Sequence, residues 1–447
     1  MINSHQLSGR VIMYRKFLFR VLWFCVLSSC LGFAEDVTSQ SEKGFRLKTN
    51  KKIDWFTGKF SHENTQLVYL SPLNRPDGIG HLEAPENIQK GYCKGRFLPW
   101  GYGSGIEDVN LYTGQLLVAL RGAYIKTKDP DLARYLKYYF QGIRNSASVS
   151  KVKGFVPRGP HPDGKSYYTD PSRDQVSSHI YGLWAYFRSG VATDEEKRFI
   201  KNRIEDVFER LEGDNWVVLR EDGVTKAHAG ESWLTEETHA ATTLLPALAM
   251  AYDITGNMKW LDSYKKFSPV MWPHLNPAEK FKFRGHPLYI YQQLYKLIVF
   301  QELVEKIEPD KMDVVVNCRL AWATSMTNLD WPWGKTKWDP EDMKALGWEA
   351  SPENAFEACD LIKPEYFDGE YRRKNGVAGG PYRLVMSTSR FSAVNLLAGC
   401  LSGDAGLTQK SEGYMQDLFG KINPETFENS TIPLVEILYR LQKISGQ

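Results

Sequence analysis

From about residue 108 onward the apolar positions recur at three- and four-residue steps. Leu132, Tyr135, Leu136, Tyr139, Phe140 and Ile143 make one such set, and Phe199, Ile200, Ile204, Val207, Phe208 and Leu211 another. That period lays each set along one stripe of an α-helix. The helix starts are marked too. Asp129 precedes Pro130, whose ring suits the first helical position, and Thr193-Asp-Glu-Glu196 has the pattern of a capping box, in which two side chains satisfy free backbone N–H groups reciprocally. Further on, Pro287 to Ile307 and Lys311 to Met326 read as a helical pair, Ser389 to Leu401 with Gln409 to Phe419 as another, and Ile432 to Ile444 as a closing helix. Residues 327–388 are rich in Trp, Gly and Pro and poor in period, which predicts a long loop or small insertion. Residues 35–90 read as an irregular lead-in.

An internal repeat orders these helices. Ala123-Tyr124, Ala185-Tyr186 and Ala251-Tyr252 each lead into a short polar turn, at spacings of 62 and 66 residues. A unit of that length holds two helices and a return loop, so it is a helical hairpin. Six such units closed in a ring need about 370 residues, close to what lies between residue 91 and the end. The expected fold is therefore all-α, an (α/α)6 toroid over residues 91–447.

The N-terminus changes the picture of where the chain works. Arg15, Lys16 and Arg20 precede the apolar run Val21 to Leu27, and small residues follow up to Gly32-Phe-Ala34. This is the layout of a secretory signal peptide over residues 1–34 and predicts export to the periplasm or beyond. Leu27-Ser-Ser-Cys30 also reads as a lipobox, and a lipidated Cys30 is the one route foreseen to a membrane surface. Four of the 56 basic residues fall in the signal, leaving 52 against 53 acids. A near-neutral chain lacks the concentrated positive face that nucleic acid demands, so no nucleic-acid partner is expected. Cys93, Cys318, Cys359 and Cys400 stand far apart without a C-x-x-C pair, which argues against a zinc cage; neither a metal nor a cofactor is expected. Disulfides and free buried thiols both remain open.

Counting back from the Ala-Tyr pairs, each repeat carries an acid near its first helix start: Asp108, Asp174, and Glu236 or Glu237. Acids there commonly do no more than cap the helix and offset its dipole. The surroundings point further. Asp108 ends Trp100-Gly-Tyr-Gly-Ser-Gly-Ile-Glu-Asp108 and Asp174 lies in Tyr167-Tyr-Thr-Asp-Pro-Ser-Arg-Asp-Gln175, where glycines allow close approach and the rings of Trp100 and Tyr102 can stack on a sugar. Two carboxylates in unlike surroundings can divide into proton donor and base, as glycosidic cleavage requires. Arg158 and His161 precede Asp174 and suit a uronate carboxylate or a sulfate; Arg173 and Gln175 flank Asp174; His179, His228, Trp233 and His239 lie near the second and third acids; Trp331, Trp333 and Trp338 offer a further platform. Arg284 and His286 are weaker candidates of the same kind. Gly159-Pro-His-Pro-Asp-Gly-Lys-Ser166 fits the letters of a phosphate loop, but Pro160 and Pro162 remove two N–H donors and no helix follows, so no nucleotide is expected and Lys165 or His161 is assigned to the rim of the cleft.

The Gly101-Tyr-Gly-Ser-Gly-Ile-Glu-Asp108 start, a second acid one hairpin later, Gly230-Glu-Ser-Trp233 and Ala251-Tyr-Asp-Ile-Thr-Gly-Asn257 together resemble the six-hairpin glycosidase superfamily, and within it the unsaturated glucuronyl and rhamnogalacturonyl hydrolases, over roughly residues 90–265. The resemblance implies an (α/α)6 barrel with Asp108 and Asp174 as essential aspartates, and a reaction in which an unsaturated uronate is protonated and water adds to its vinyl ether. Leu234-Thr-Glu-Glu-Thr-His239 departs from the Arg-Gly-Gln-x-Trp run usual there. The expected function is a secreted glycoside hydrolase acting on acidic oligo- or polysaccharides by carboxylate acid/base catalysis. Two alternatives stand beside it: a polysaccharide lyase with Tyr181, His179 or His228 as base and Arg158 facing the uronate, and a non-catalytic glycan-binding protein.

Overall fold

The computed structural model describes residues 41–282, 287–327, 393–421, 424–427 and 429–446. The signal segment with Cys30, the pair Arg284 and His286, Cys359 and the Trp331, Trp333 and Trp338 cluster lie outside the described residues. The chain divides into two compact units, residues 1–52 and 53–447. Residues 41–52 of the first are helical.

In the second unit α1 (residues 53–60) is followed by α2 (Val109–Thr127), α3 (Pro130–Ser148), α4 (Arg173–Phe187), α5 (Asp194–Gly213), α6 (Thr238–Thr255), α7 (Met258–Leu275), α8 (Pro287–Ile307), α9 (Met312–Met326), α10 (residues 393–400), α11 (Ala405–Lys421) and α12 (Thr431–Ser445). The even-numbered helices form an inner ring. α2 packs on α4, α4 on α6, α6 on α8, and α12 returns to α2. α8 also touches α2 and α4 across the middle. The odd-numbered helices lie outside, with α3 against both α2 and α4 and α5 against both α4 and α6. The molecule is thus the (α/α)6 toroid that the repeat implied.

Composition explains which helix goes where. Residues 109–123 of α2 are all buried, so that helix is enclosed on every side, whereas α3 buries one face, the stripe Leu132, Tyr135, Leu136, Tyr139, Phe140 and Ile143 with Gly142, Ser146 and Ala147, and leaves polar residues outside. Asp129 accepts from Asp131 N at 2.9 Å to start α3, and Thr193 and Glu196 make the reciprocal box that starts α5. Inner helices approach closely where side chains vanish: a Cβ on Gly114 of α2 would lie 2.3 Å from the Ser178 carbonyl of α4. At their C-terminal ends the inner helices are tied by ion pairs. Arg121 forks onto Glu302 with both bonds at 2.7 Å, and Asp253 accepts from Trp184 Nε1 at 2.9 Å and from Arg188 Nε at 2.7 Å.

The expectation of an irregular segment over residues 35–90 needs correction. Residues 53–60 are helical, with Ile53, Phe56 and Phe60 fully buried. Thr57 bonds Tyr139 of α3 at 2.7 Å, Lys59 Nζ donates to Glu425 O at 3.0 Å, and Ser430 N donates to Leu70 O at 2.9 Å, so the two ends of this unit close the ring together. Cys93, Cys318 and Cys400 are buried free thiols.

Candidate active site

The N-terminal ends of α2, α4 and α6 meet at one end of the ring and carry the acids. The loop before α2 is shaped by Glu107, not by Asp108. Its carboxylate accepts from Gly103 N and Gly105 N, both at 2.8 Å, and from Ser104 Oγ at 3.3 Å. Gly101 at φ 64° lies against the Tyr168 ring, where a Cβ would come within 2.4 Å, so no larger residue fits. This folding leaves Asp108 at the N-cap of α2 without a side-chain bond to its own helix. Its Oδ1 instead accepts from Gln175 Nε2 at 3.0 Å and lies 3.5 Å from Arg158 Nη2. Gln175 follows Asp174 in the first turn of α4, so one side chain locks the two acid-bearing helix starts together.

Arg158 is 2% exposed, and its guanidinium sits 4.5 Å from the centre of the Tyr102 ring. Its Nε and Nη1 have no hydrogen-bond partner among the described residues. Burial works against its charge, yet Asp108, with Tyr102 and Glu107, raises its pKa above the ordinary arginine value. A guanidinium fork with donors left over has the geometry that a planar anion accepts.

Asp174 occupies the second position of α4, after Ser172, whose hydroxyl caps the helix on Gln175 N. Facing it at the matching second position of α6 is His239, with Nε2 3.5 Å from Asp174 Oδ1. Arg173 reaches over to Glu237 at 3.3 Å and to Ser232 O at 3.4 Å. From α8 comes Lys296, 1% exposed, its Nζ donating to Thr243 Oγ1 at 2.9 Å. Burial pushes the Asp174 carboxyl up, but the His239 ring and the charges of Lys296 and Arg173 outweigh it and hold the group well below the usual carboxylate range. Burial likewise pulls the Lys296 ammonium down to about 7, against the attraction of Asp174. His239 is lowered by burial in the same way, with Asp174 opposing and Arg173 and Lys296 assisting. At neutral pH the pocket therefore holds an ionised Asp174 beside an uncharged imidazole.

Aromatic groups flank Asp108. Trp100 stacks on His228 with centroids 4.1 Å apart, and Tyr102 meets the same imidazole edge-on at 6.0 Å. Buried Asp170 sets this up: it accepts from His228 N at 2.8 Å and pairs with Arg220 at 2.6 Å, pinning the 228 loop beside the start of α4.

Other candidates lie elsewhere. Trp233 is fully buried against Trp216, so it is packing and not a sugar platform. His179 is fully buried and turned outward to Arg203 of α5 at 3.5 Å, with burial keeping it neutral. Tyr181 is buried, accepts from Ser178 Oγ at 2.7 Å, and burial raises its phenol further. Neither is placed to act as the base of a lyase. Glu236 points to solvent, while its neighbour Glu237 takes the pairing with Arg173. His161 is buried in a hairpin turn, accepting from Asp163 N at 3.1 Å. In that turn Asp163 accepts from Lys165 N at 2.8 Å and Ser166 N at 2.9 Å, and His161 N donates to Ser166 O, so the phosphate-loop lettering has its N–H groups already used. Lys165 is left exposed at the tip. No group of three or more His, Cys, Asp or Glu able to hold a metal ion occurs among the described residues.

Lys296 and Asp170 escaped the sequence reading. Lys296 interrupts Leu294 to Phe300, a stretch apolar all round, and a lysine inside such a helix is itself a signal. Asp170 sits in an ordinary-looking Asp-Pro turn, and only the fold shows its burial.

No protein-family model matches the sequence, and no curated protein matches it. Among solved structures the chain is similar to a cellobiose 2-epimerase from Spirochaeta thermophila DSM 6192, with TM-score 0.41 and 12% identity over 75% of this chain and 86% of that one. It is also similar to a sugar epimerase from a ruminal bacterium, with TM-score 0.39 and 12% identity over 75% of this chain and 87% of that one.

Proposed function

We propose that the chain is a carbohydrate-active enzyme, a glycoside hydrolase that acts on acidic, uronate-containing oligo- or polysaccharides with Asp174 and Asp108 as its working pair. The observation that supports this is the Gln175 bond at 3.0 Å to Asp108, which joins the starts of two acid-bearing inner helices whose acids lie 66 residues apart in the chain. The ionised Asp174 takes a proton from the attacking water, and Asp108 delivers one to the sugar. A uronate carboxylate seated on the idle Nε and Nη1 of Arg158 draws that positive charge away from Asp108 and so eases its protonation. Trp100, Tyr102 and His228 supply faces for the ring. Export through residues 1–34, by plain cleavage or as a Cys30 lipoprotein, would bring the enzyme to such polymers outside the cytoplasm.

The test screens residues 35–447, beside Asp174→Asn, against uronate polysaccharides and their lyase-generated fragments, following ultraviolet absorbance and reducing ends together. Falling absorbance, or new reducing ends, lost in the variant supports the proposal. Rising absorbance points to a lyase. Binding without turnover, weakened in Trp333→Ala and unchanged in Asp174→Asn, points to a glycan-binding protein.

A further inference from the structure

Among the described residues the exposed aromatic side chains are Tyr92, Phe97, Tyr102 and Tyr414. The first three lie together in the segment that leads into the candidate site. Tyr92–Cys93 and Arg96–Phe97 form a two-stranded antiparallel hairpin in which Tyr92 stands opposite Phe97 and Cys93 opposite Arg96. Tyr92 and Phe97 therefore share a face, 42% and 58% exposed, with their rings edge to face and the centres 5.7 Å apart. A hairpin this short has little stability of its own, so its place is set by what it is tied to. Cys93, on the opposite face, is fully buried with Sγ 3.6 Å from Tyr102 O, and Leu98 N donates to Gly91 O at 2.8 Å. Lys94 Nζ lies over Gly103, 3.2 Å from where a Cβ would stand. Tyr168 supplies the link to the pocket. Its hydroxyl donates to Tyr92 O at 3.1 Å, its ring lies against Gly101, and its backbone N–H and C=O exchange bonds with Arg158 at 2.8 and 3.0 Å. The exposed aromatic face is thereby fixed to the segment that carries the Arg158 fork, and to the turn that carries Tyr102, whose ring lies against that fork.

We propose that the face formed by Tyr92 and Phe97 is a second sugar-binding subsite, which holds neighbouring units of an acidic glycan whose end unit sits on Arg158. The inference rests on the hydrolase reading for that end unit and adds to it a preference for chains over single sugars. Solvent-facing rings held rigidly beside a pocket mark a surface that something covers, and a ring face matches the C–H face of a pyranose. Charge selects the occupant. Lys94 and Arg96 are exposed on the same hairpin and suit the carboxylates of successive uronates. A second copy of the chain brings no such excess of acid, since the part after residue 34 is near neutral. Binding then runs from the fork, past Tyr102, to the hairpin, so affinity depends on how many sugars the ligand has.

The experiment uses titration calorimetry on residues 35–447 carrying Asp174→Asn, so that turnover does not intrude. The probes are oligogalacturonates, oligomannuronates and oligoglucuronates, each from disaccharide to hexasaccharide. The expected result is that the tetrasaccharide of one series binds about tenfold more tightly than its disaccharide. Tyr92→Ala with Phe97→Ala abolishes this gain and leaves disaccharide affinity and melting temperature unchanged, whereas Phe97→Trp keeps a ring and keeps the gain. Lys94→Gln with Arg96→Gln reduces the gain, and added salt brings the unsubstituted hairpin to the same level. Where the paired aromatic variant melts early, Tyr92→Ala alone decides. Absence of a length gain, or a gain unchanged in the aromatic variants, overturns the inference and leaves the hydrolase reading standing. Binding of none of the series removes the uronate reading and this inference with it. A protein dimer in light scattering that is lost in the aromatic variants makes the face an interface between copies and overturns the inference. If Asp174→Asn still turns over, the hydrolase reading falls, and the length series alone decides the subsite.

Discussion

At the residue scale, the candidate site is made of side chains whose surroundings differ more than their chemistry does. Glu107 and Asp108 are adjacent acids, yet Glu107 is spent on three loop donors and Asp108 is held toward the pocket by Gln175. Asp174→Asn and Asp108→Asn should each reduce kcat by about 10²- to 10⁴-fold, the range of a lost acid/base group, whereas Glu107→Gln should mainly lower stability; steady-state rates and melting curves separate the two effects. Arg158→Lys retains the charge but loses the planar fork. Its KM for a uronate substrate should rise at least tenfold, while a neutral analogue is little affected. Equal loss on both substrates would remove Arg158 from uronate recognition. The sequence singled out both aspartates and the arginine from residue type and local motif alone. It also promoted Trp233 and His179, which are buried in the wall, because proximity along a chain says nothing of which way a helix turns.

At the element scale, helix starts were legible and helix contacts were not. The Thr193 capping box forms as its four letters imply. Thr193→Ala should cost about 1 kcal/mol, read from the urea midpoint at unchanged slope. Gly114→Ala is the sharper test of packing. In an isolated helix the change would add about 1 kcal/mol of stability. In this ring the new Cβ meets the Ser178 carbonyl at 2.3 Å, so the sign should reverse and the inner-helix crossing should loosen. A stabilised Gly114→Ala protein would mean that α2 and α4 do not cross this closely. The lead-in at residues 53–60 shows the opposite limit. Three apolar residues buried there carry too little periodicity to announce a helix, and the contact of Thr57 with Tyr139 of α3 is one that no local pattern shows.

For the whole molecule, the ring sets both access and pH response. Its C-terminal end is tied by Arg121–Glu302 and Arg188–Asp253, while the N-terminal end gathers the acids, so ligand is expected at that end. His161, His179 and His239 all have folded pKa values lowered by burial. Below their ordinary value near 6.5 the unfolded chain takes up protons that the folded chain refuses, so stability present above that pH is lost as pH falls. The melting temperature should drop from about pH 6.5 to 5, and His179→Gln should flatten part of that slope; an unchanged slope would mean His179 is not buried neutral. What the sequence determined by itself was local: the period of the helices, their caps, the hairpin repeat that forces a ring, and the acids at the repeat starts. What only the tertiary structure decided was long-range: that Gln175 joins the two acid-bearing ends, that Asp170 brings His228 onto Trp100, and that buried Lys296 of α8 bonds Thr243 of α6. Helix propensity and capping act over a few residues and are written in order along the chain, whereas burial and charge act through space, between residues that the ring brings together from hairpins far apart.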